Sequence, residues 1–124
     1  ITAVDYDKDQ IKKAIKEFPL KYAARVSFEQ GDGANLRFKN SSFDTVLELN
    51  AFHHIKNYEN AMKEVYRVLK KEGKFIAMDM SVPLFIHGEA HFTRKEFENK
   101  LEENGFKIEK SKNIWWFYII ARKA

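Results

Sequence analysis

Strand-forming runs and runs with helical periodicity take turns along this chain, and only its last stretch breaks the alternation. Residues 1–4 (ITAV), 25–30 (RVSFEQ), 43–50 (FDTVLELN) and 74–80 (KFIAMDM) read as strands. Between the first two, Ile11, Ala14, Ile15 and Phe18 recur at i, i+3, i+4, i+7, the spacing of one helix face. Ala61, Met62, Val65, Val68 and Leu69 mark a second helix, expected over 57–71. A strand, a crossover helix and a further strand build parallel pairs. The run FDTVLELN is apolar enough to suit burial on both faces, as inner parallel strands require. FKIEKS and IWWFYIIARK are joined only by Lys112 and Asn113, too short a link for a crossover, so they must be antiparallel neighbours. The expected fold class is therefore α/β, a doubly wound sheet, mostly parallel, with one antiparallel strand near the C-terminal edge.

Helix ends carry their own signals. Asp7 with Gln10, and Thr93 with Glu96, have the spacing of capping boxes, and Asn57 suits a cap. Pro19 stops the first helix, while Gly73 and Gly105 stand where a left-handed terminating residue is expected. Phe97 and Leu101 supply the inner face of the last helix.

At 124 residues, 44% of them hydrophobic, the chain has the material for one core, and residues 1–124 read as a single domain. No apolar run approaches the ~20 residues of a bilayer span, and no charged leader with a cleavage site opens the sequence, so a cytoplasmic location is expected. With no cysteine, disulfides, thiolate zinc sites and cysteine nucleophiles are excluded. The net charge of +4 comes from lysines spread along helical segments, which favours a solvated face over a nucleic-acid surface. The aromatics of IWWFYIIARK likewise fit an inner strand better than a base-stacking platform.

In open α/β sheets a ligand lies outside the carboxyl ends of the strands. The first strand ends in Asp5-Tyr6, an acid suited to ribose hydroxyls beside an aromatic suited to a base. The second ends in Gly31-Asp32-Gly33-Ala34, where small residues admit a planar ligand and Asp32 can accept from an exocyclic amine. The third ends in Glu48-Leu49-Asn50, followed by Ala51-Phe52-His53-His54. Together these ends describe a nucleoside pocket. Each also has a plain local reading: Asp5 and Asp7 can open a helix, Asp32 can shape a turn, and Asn50 can cap a loop.

The stretches ITAVDYDKDQIKKAIK, QGDGANLRFKNSSFDTVLELNAFHHI, NAMKEVYRVLKKEGKFIAMD and FTRKEFENKLEENGFKIEK resemble the class I S-adenosylmethionine-dependent methyltransferases, in particular the small-molecule branch of ubiquinone and menaquinone biosynthesis. The resemblance implies a Rossmann-like fold and S-adenosyl-L-methionine as cofactor. It implies that Asp5 holds the ribose hydroxyls, Tyr6 packs on adenine, Asp32 and Gly33 meet its amino edge, and Leu49 and Asn50 lie beside the methionine portion. Lys71, Glu72 and Gly73 stand in place of the family's usual lysine-proline-glycine-glycine turn. The family's glycine-rich loop, G-x-G-x-G between a first strand and a first helix, is not in these 124 residues; Gly31-Asp32-Gly33 lacks the third glycine and opens no helix. The chain is therefore expected to be N-terminally incomplete, without the family's first strand and helix, which a longer chain, a second copy or a partner chain would supply.

The expected reaction is in-line methyl transfer to a small-molecule acceptor, which rests chiefly on alignment. Where the acceptor needs a base, His53 or His54 is the place to look, since imidazole titrates near neutral pH. The alternative is a non-catalytic methyltransferase-like domain that binds another subunit. A nucleotide-binding oxidoreductase shares the fold class, but the histidine pair and the closing hairpin disfavour it. His87, Glu89 and His91 depart from H-E-x-x-H, and Gly88 weakens a helix there, so no metal site is expected. Residues 81–92 read instead as a wall or lid over the acceptor.

Overall fold

The computed structural model describes residues 1–80, 92–113 and 116–124. Strand β1 (Thr2–Asp5) feeds helix α1 (Lys8–Glu17), and a 3-10 helix (Leu20–Arg25) leads into β2 (Ser27–Gln30). Strand β3 (Phe43–Leu49), a 3-10 turn (Phe52–His54) and helix α2 (Tyr58–Val68) come next. Strand β4 (Leu69–Met80), helix α3 (Arg94–Glu103) and strands β5 (Phe106–Asn113) and β6 (Trp116–Lys123) complete the order. The strands form two sheets. β1 and β2 pair in parallel, and a four-stranded sheet runs β3-β4-β6-β5, with β3 parallel to β4 and β6 antiparallel to both its neighbours.

The core lies on one face of the larger sheet. Phe75 and Ala77 of β4, Phe117, Ile119 and Ala121 of β6, and Phe106 of β5 alternate inward to meet Ala61, Met62 and Val65 of α2 and Phe97 and Leu101 of α3. Phe97 is the hub, with ring centroids 5.4 Å from Phe52, 5.1 Å from Phe92 and 5.0 Å from Phe117. Offset and edge-on aromatic packing of this kind adds about 1 kcal/mol per pair beyond the area buried.

Several expectations are revised. Among the described residues the strands form two separate sheets rather than one continuous one, with α2 and α3 packed on one face of the larger sheet and α1 against β1 and β2. β3 is not buried on both faces: its outward Leu47 and Leu49 are 58% and 57% exposed, because no described element packs over them. Helix α2 ends at Val68, and β4 begins at once. The left-handed residue there is Glu72 (φ 63°), whereas Gly73 is needed for closeness: a Cβ on it would sit 2.8 Å from the Lys70 carbonyl oxygen. Lys112 and Asn113 belong to β5, and residues 114–115, where the connection falls, lie outside the described residues. Asp7 caps α1 by accepting from the Asp9 N–H alone, and its capping partner is not Gln10. The Thr93–Glu96 box forms as expected, and Gly105 (φ 90°) follows the end of α3.

Candidate functional site

The carboxyl ends of β1, β2 and β3 carry the residues singled out by the sequence. Asp5 closes β1, and its Oδ1 accepts from the Asp7 N–H at 2.8 Å. Tyr6 beside it is 77% exposed, and its carbonyl accepts from Gln30 Nε2 at 3.2 Å, which ties the ends of β1 and β2 together. Asp32 accepts from the Ala34 N–H at 2.8 Å, so its plain reading as a turn former is realised. Both aspartates use one oxygen in this way and retain acceptor capacity on the other.

Gly33 has a further reason to be glycine. A Cβ there would lie 3.0 Å from Ile55 Cδ1, so the loop after β2 sits directly on the turn after β3. Three side chains of α2 hold it in place. Asn60 Nδ2 donates to the Ala34 carbonyl, Glu64 accepts from the Leu36 N–H at 2.8 Å, and Arg67 donates to the Leu36 and Phe38 carbonyls at 2.9 and 2.7 Å. Arg67 also grips Glu64 and Asn40. That hydrogen bonding holds the Glu64 carboxyl below its ordinary range, through Arg67 first. A shallow crevice alongside, between Val4, Gly31 and residues 36–38, offers ≈ 10 Å³, room for about one water and not for a nucleoside.

The turn after β3 is built on buried charge. Asn50 adopts a left-handed conformation (φ 53°), and its N–H donates to the Met78 carbonyl at 2.8 Å, one bond beyond the last registered pair of β3 with β4. Leu49 and Asn50 are exposed at this corner. Glu48 Oε1 accepts from the Ala51 N–H at 2.6 Å, and Asp79 Oδ2 accepts from the His53 N–H at 3.1 Å. Asp79 Oδ1 lies 2.5 Å from His53 Nδ1. Burial, and then the nearby Asp79 charge, push the Glu48 carboxyl up to about 8. The histidine pair is thus divided: His53 is 6% exposed and bound to Asp79, while His54 is exposed, its ring tilted at 43° to that of His53 with centroids 3.9 Å apart.

Glu48, Asp79, Glu64 and Arg67 were not among the residues expected from the sequence. For Glu48 a signal existed. It shares the inward parity of Val46 in β3, and an acid on a core-facing position at a strand end marks a built site. His87, Glu89 and His91, with most of the expected wall over 81–92, lie outside the described residues. Among the described residues, no group of three or more histidines and carboxylates is placed to hold a metal ion. No described helix is long and apolar enough to cross a membrane.

A family model described as "Methyltransferase domain" matches residues 1–77, which include β1, the Asp32 loop, β3 and the histidine turn. The chain belongs to this methyltransferase family. The resemblance drawn from the sequence motifs is borne out, and S-adenosyl-L-methionine is the cofactor that membership implies. Among curated relatives, the chain is 35% identical over 80 residues to the uncharacterized methyltransferase YcgJ of Bacillus subtilis, covering 64% of this chain and 32% of the relative. It is 30% identical over 84 residues to the demethylmenaquinone methyltransferase of Desulfitobacterium hafniense, covering 67% and 33%. The chain thus spans about a third of the length of these relatives.

Solved structures of the methyltransferase fold agree. The YcgJ crystal structure superposes with a TM-score of 0.79 at 25% identity, over 91% of this chain and 56% of that one. The [4+2]-cyclase SpnF superposes at 0.87 with 16% identity, over 99% and 66%, a likeness of fold alone. SpnF is named for a different chemistry, so the architecture by itself does not assign a reaction.

Proposed function

We propose that this chain contributes the adenosine-binding side and the acceptor-facing turn of an S-adenosylmethionine-dependent methyltransferase acting on a small molecule. The observation that carries this reading is the meeting of three strand ends. The Asp32–Gly33 loop rests on Ile55 in the turn after β3, and Tyr6 is bonded to Gln30, which supports reading Asp5, Tyr6, Asp32, Gly33, Leu49 and Asn50 as one rim. The donor set fits the cofactor: two carboxylates with acceptor capacity, an exposed ring, and a glycine beside a close contact.

In this reading Asp5 accepts from the ribose hydroxyls, Tyr6 covers the adenine, and Asp32 with Gly33 meets its amino edge. Leu49 and Asn50 border the methionine portion. When bound, S-adenosyl-L-methionine supplies an electrophilic methyl group on its sulfonium. The chain's own residues then align the acceptor and exclude water, and for an acceptor that must lose a proton His53 or His54 takes it. Relatives named demethylmenaquinone methyltransferases support a small-molecule acceptor. Residues 1–124 are read as one domain of a cytoplasmic enzyme, with the glycine-rich loop supplied from outside these residues.

A second reading is a non-catalytic methyltransferase-like domain that binds another subunit. It is favoured by the exposed Leu47 and Leu49 on β3, and by the lack of any described strand paired with β3 on the side away from β4. Calorimetric titration of S-adenosylhomocysteine into this chain, and into a form extended upstream through a glycine-rich loop, separates the two. Binding by the extended form supports the enzyme reading. A folded, extended form that does not bind rejects it in favour of the second.

A further inference from the structure

Glu48 and Asp79 sit on adjacent parallel strands and on the same face of the sheet. Glu48 registers with Ala77, and Asp79 is two residues further along β4, so both side chains point into the core at the carboxyl ends of their strands. Their exposures are 5% and 0%. Two ionised carboxylates at such depth repel with little solvent to screen them, and one proton on the pair removes that repulsion.

The hydrogen bonds decide which carboxyl carries it. Asp79 accepts from two backbone donors, Oδ1 from the Met80 N–H at 2.6 Å and Oδ2 from the His53 N–H at 3.1 Å, and its Oδ1 lies 2.5 Å from His53 Nδ1, which donates to it when that nitrogen carries the proton. That set stabilises an anion. Glu48 uses only Oε1, which accepts from the Ala51 N–H at 2.6 Å and, at the longer distance of 3.4 Å, from the Phe52 N–H. Its Oε2 is buried and meets no donor among the described residues. A proton on Oε2 turns that orphan acceptor into a donor, and Asp79, two residues beyond Glu48's register partner and on the same buried face, is the neighbouring carboxyl.

We propose that Glu48 is held as a neutral acid donating to an ionised Asp79, and that this singly charged pair is a positioning unit that fixes His53 with a proton on Nδ1 and pins the turn at residues 51–53. Neither acid touches the acceptor; both act through His53 and the turn backbone. The meaning of this for proton removal rests on the methyl-transfer reading, whereas the protonation pattern does not.

The test reads the pattern directly in the 124-residue chain, by infrared spectroscopy of the carboxyl region and nitrogen NMR of the His53 ring, both at pH 7. The expected result is a protonated-carboxyl band that disappears in Glu48→Gln. His53 should be Nδ1-protonated in the wild type and remain so in Glu48→Gln, whose amide replaces the acid as donor to Asp79. In Asp79→Asn, if it folds, the neutral ring should shift to the Nε2-protonated tautomer. Absence of the band, its survival in Glu48→Gln, or an Nε2-protonated neutral ring in the wild type overturns the proposal. The Glu48→Gln comparison decides even where Asp79→Asn does not fold. Because no cofactor is added, failure here is distinct from failure of the methyltransferase reading.

Discussion

β1, α1 and β2 form the same kind of unit as β3, α2 and β4, a strand, an amphipathic helix and a parallel strand, yet the two regions bury very different amounts. Helix α1 has no buried residue, and β1 to β2 is a ladder of four residue pairs. Helix α2 buries Ala61, Met62, Val65 and Val68 against strands that contain Phe75 and Phe117 at zero exposure. Both helices have the right period. What differs is the second layer: α2 shares its face of the sheet with α3 and its aromatic hub, whereas among the described residues α1 packs chiefly on a two-stranded ladder, the kind of sheet that is marginal on its own. Amphipathic spacing earns stability only where enough partners meet it. The residues proposed to hold the cofactor, Asp5, Tyr6 and Asp32, lie in the thinly packed region, and the buried acid pair lies in the well-packed one.

The largest expected effect tests that contrast through aromatic truncation. Phe97→Ala in the hub should cost about 3–5 kcal/mol. Phe28→Ala, in half-buried β2 with an edge-on contact to Phe18, should cost about 1 kcal/mol. Chemical denaturation of both variants checks it, and equal losses would erase the contrast.

Arg67 joins the regions, since it is anchored on α2 and holds the backbone of the loop leading from β2 to β3. Arg67→Ala should cost about 2 kcal/mol and make residues 36–40 a site of faster proteolysis. Arg67→Lys should recover only part of this, because an ammonium cannot reproduce the guanidinium fork. Full recovery would show that charge alone holds the loop.

The acid pair sharpens the comparison through pH. A carboxyl raised to about 8 in the fold keeps its proton while the unfolded chain has released its own, so stability from this group is greatest below the unfolded value near 4.5 and falls as pH rises toward 8. The slope is at most about 1.4 kcal/mol per pH unit. Urea denaturation of the wild type and Glu48→Gln across pH 5–8 should show their stabilities diverging, with the variant gaining as pH rises. Parallel curves would mean that Glu48 is ionised in the fold.

The smallest effect is local. Asp7→Ala removes the α1 cap and should lower amide-exchange protection in α1 by about 1 kcal/mol while β4 and β6 keep theirs. Equal loss everywhere would show that the two regions unfold as one.

Much of this protein follows from short-range pattern. The four strand runs, the three helices, the Thr93–Glu96 box and the glycine after α3 depend on spacings of two to four residues, so they are legible in the chain itself. The family was also legible, because its motifs sit at strand ends and turns. Burial was not. Whether FDTVLELN is covered on both faces depends on what packs over it, and Leu47 and Leu49 show that the described structure covers one. Gly73 was expected to turn the chain and instead makes room for the Lys70 carbonyl, a demand set by the neighbouring backbone and invisible to composition. The contacts that organise the site join residues far apart in sequence: Glu48 and His53 with Asp79, Arg67 with Leu36 and Phe38. A single carboxylate in a strand says nothing of its charge. Only when the fold brings a second acid, a histidine and a dry environment to it does its proton acquire a place.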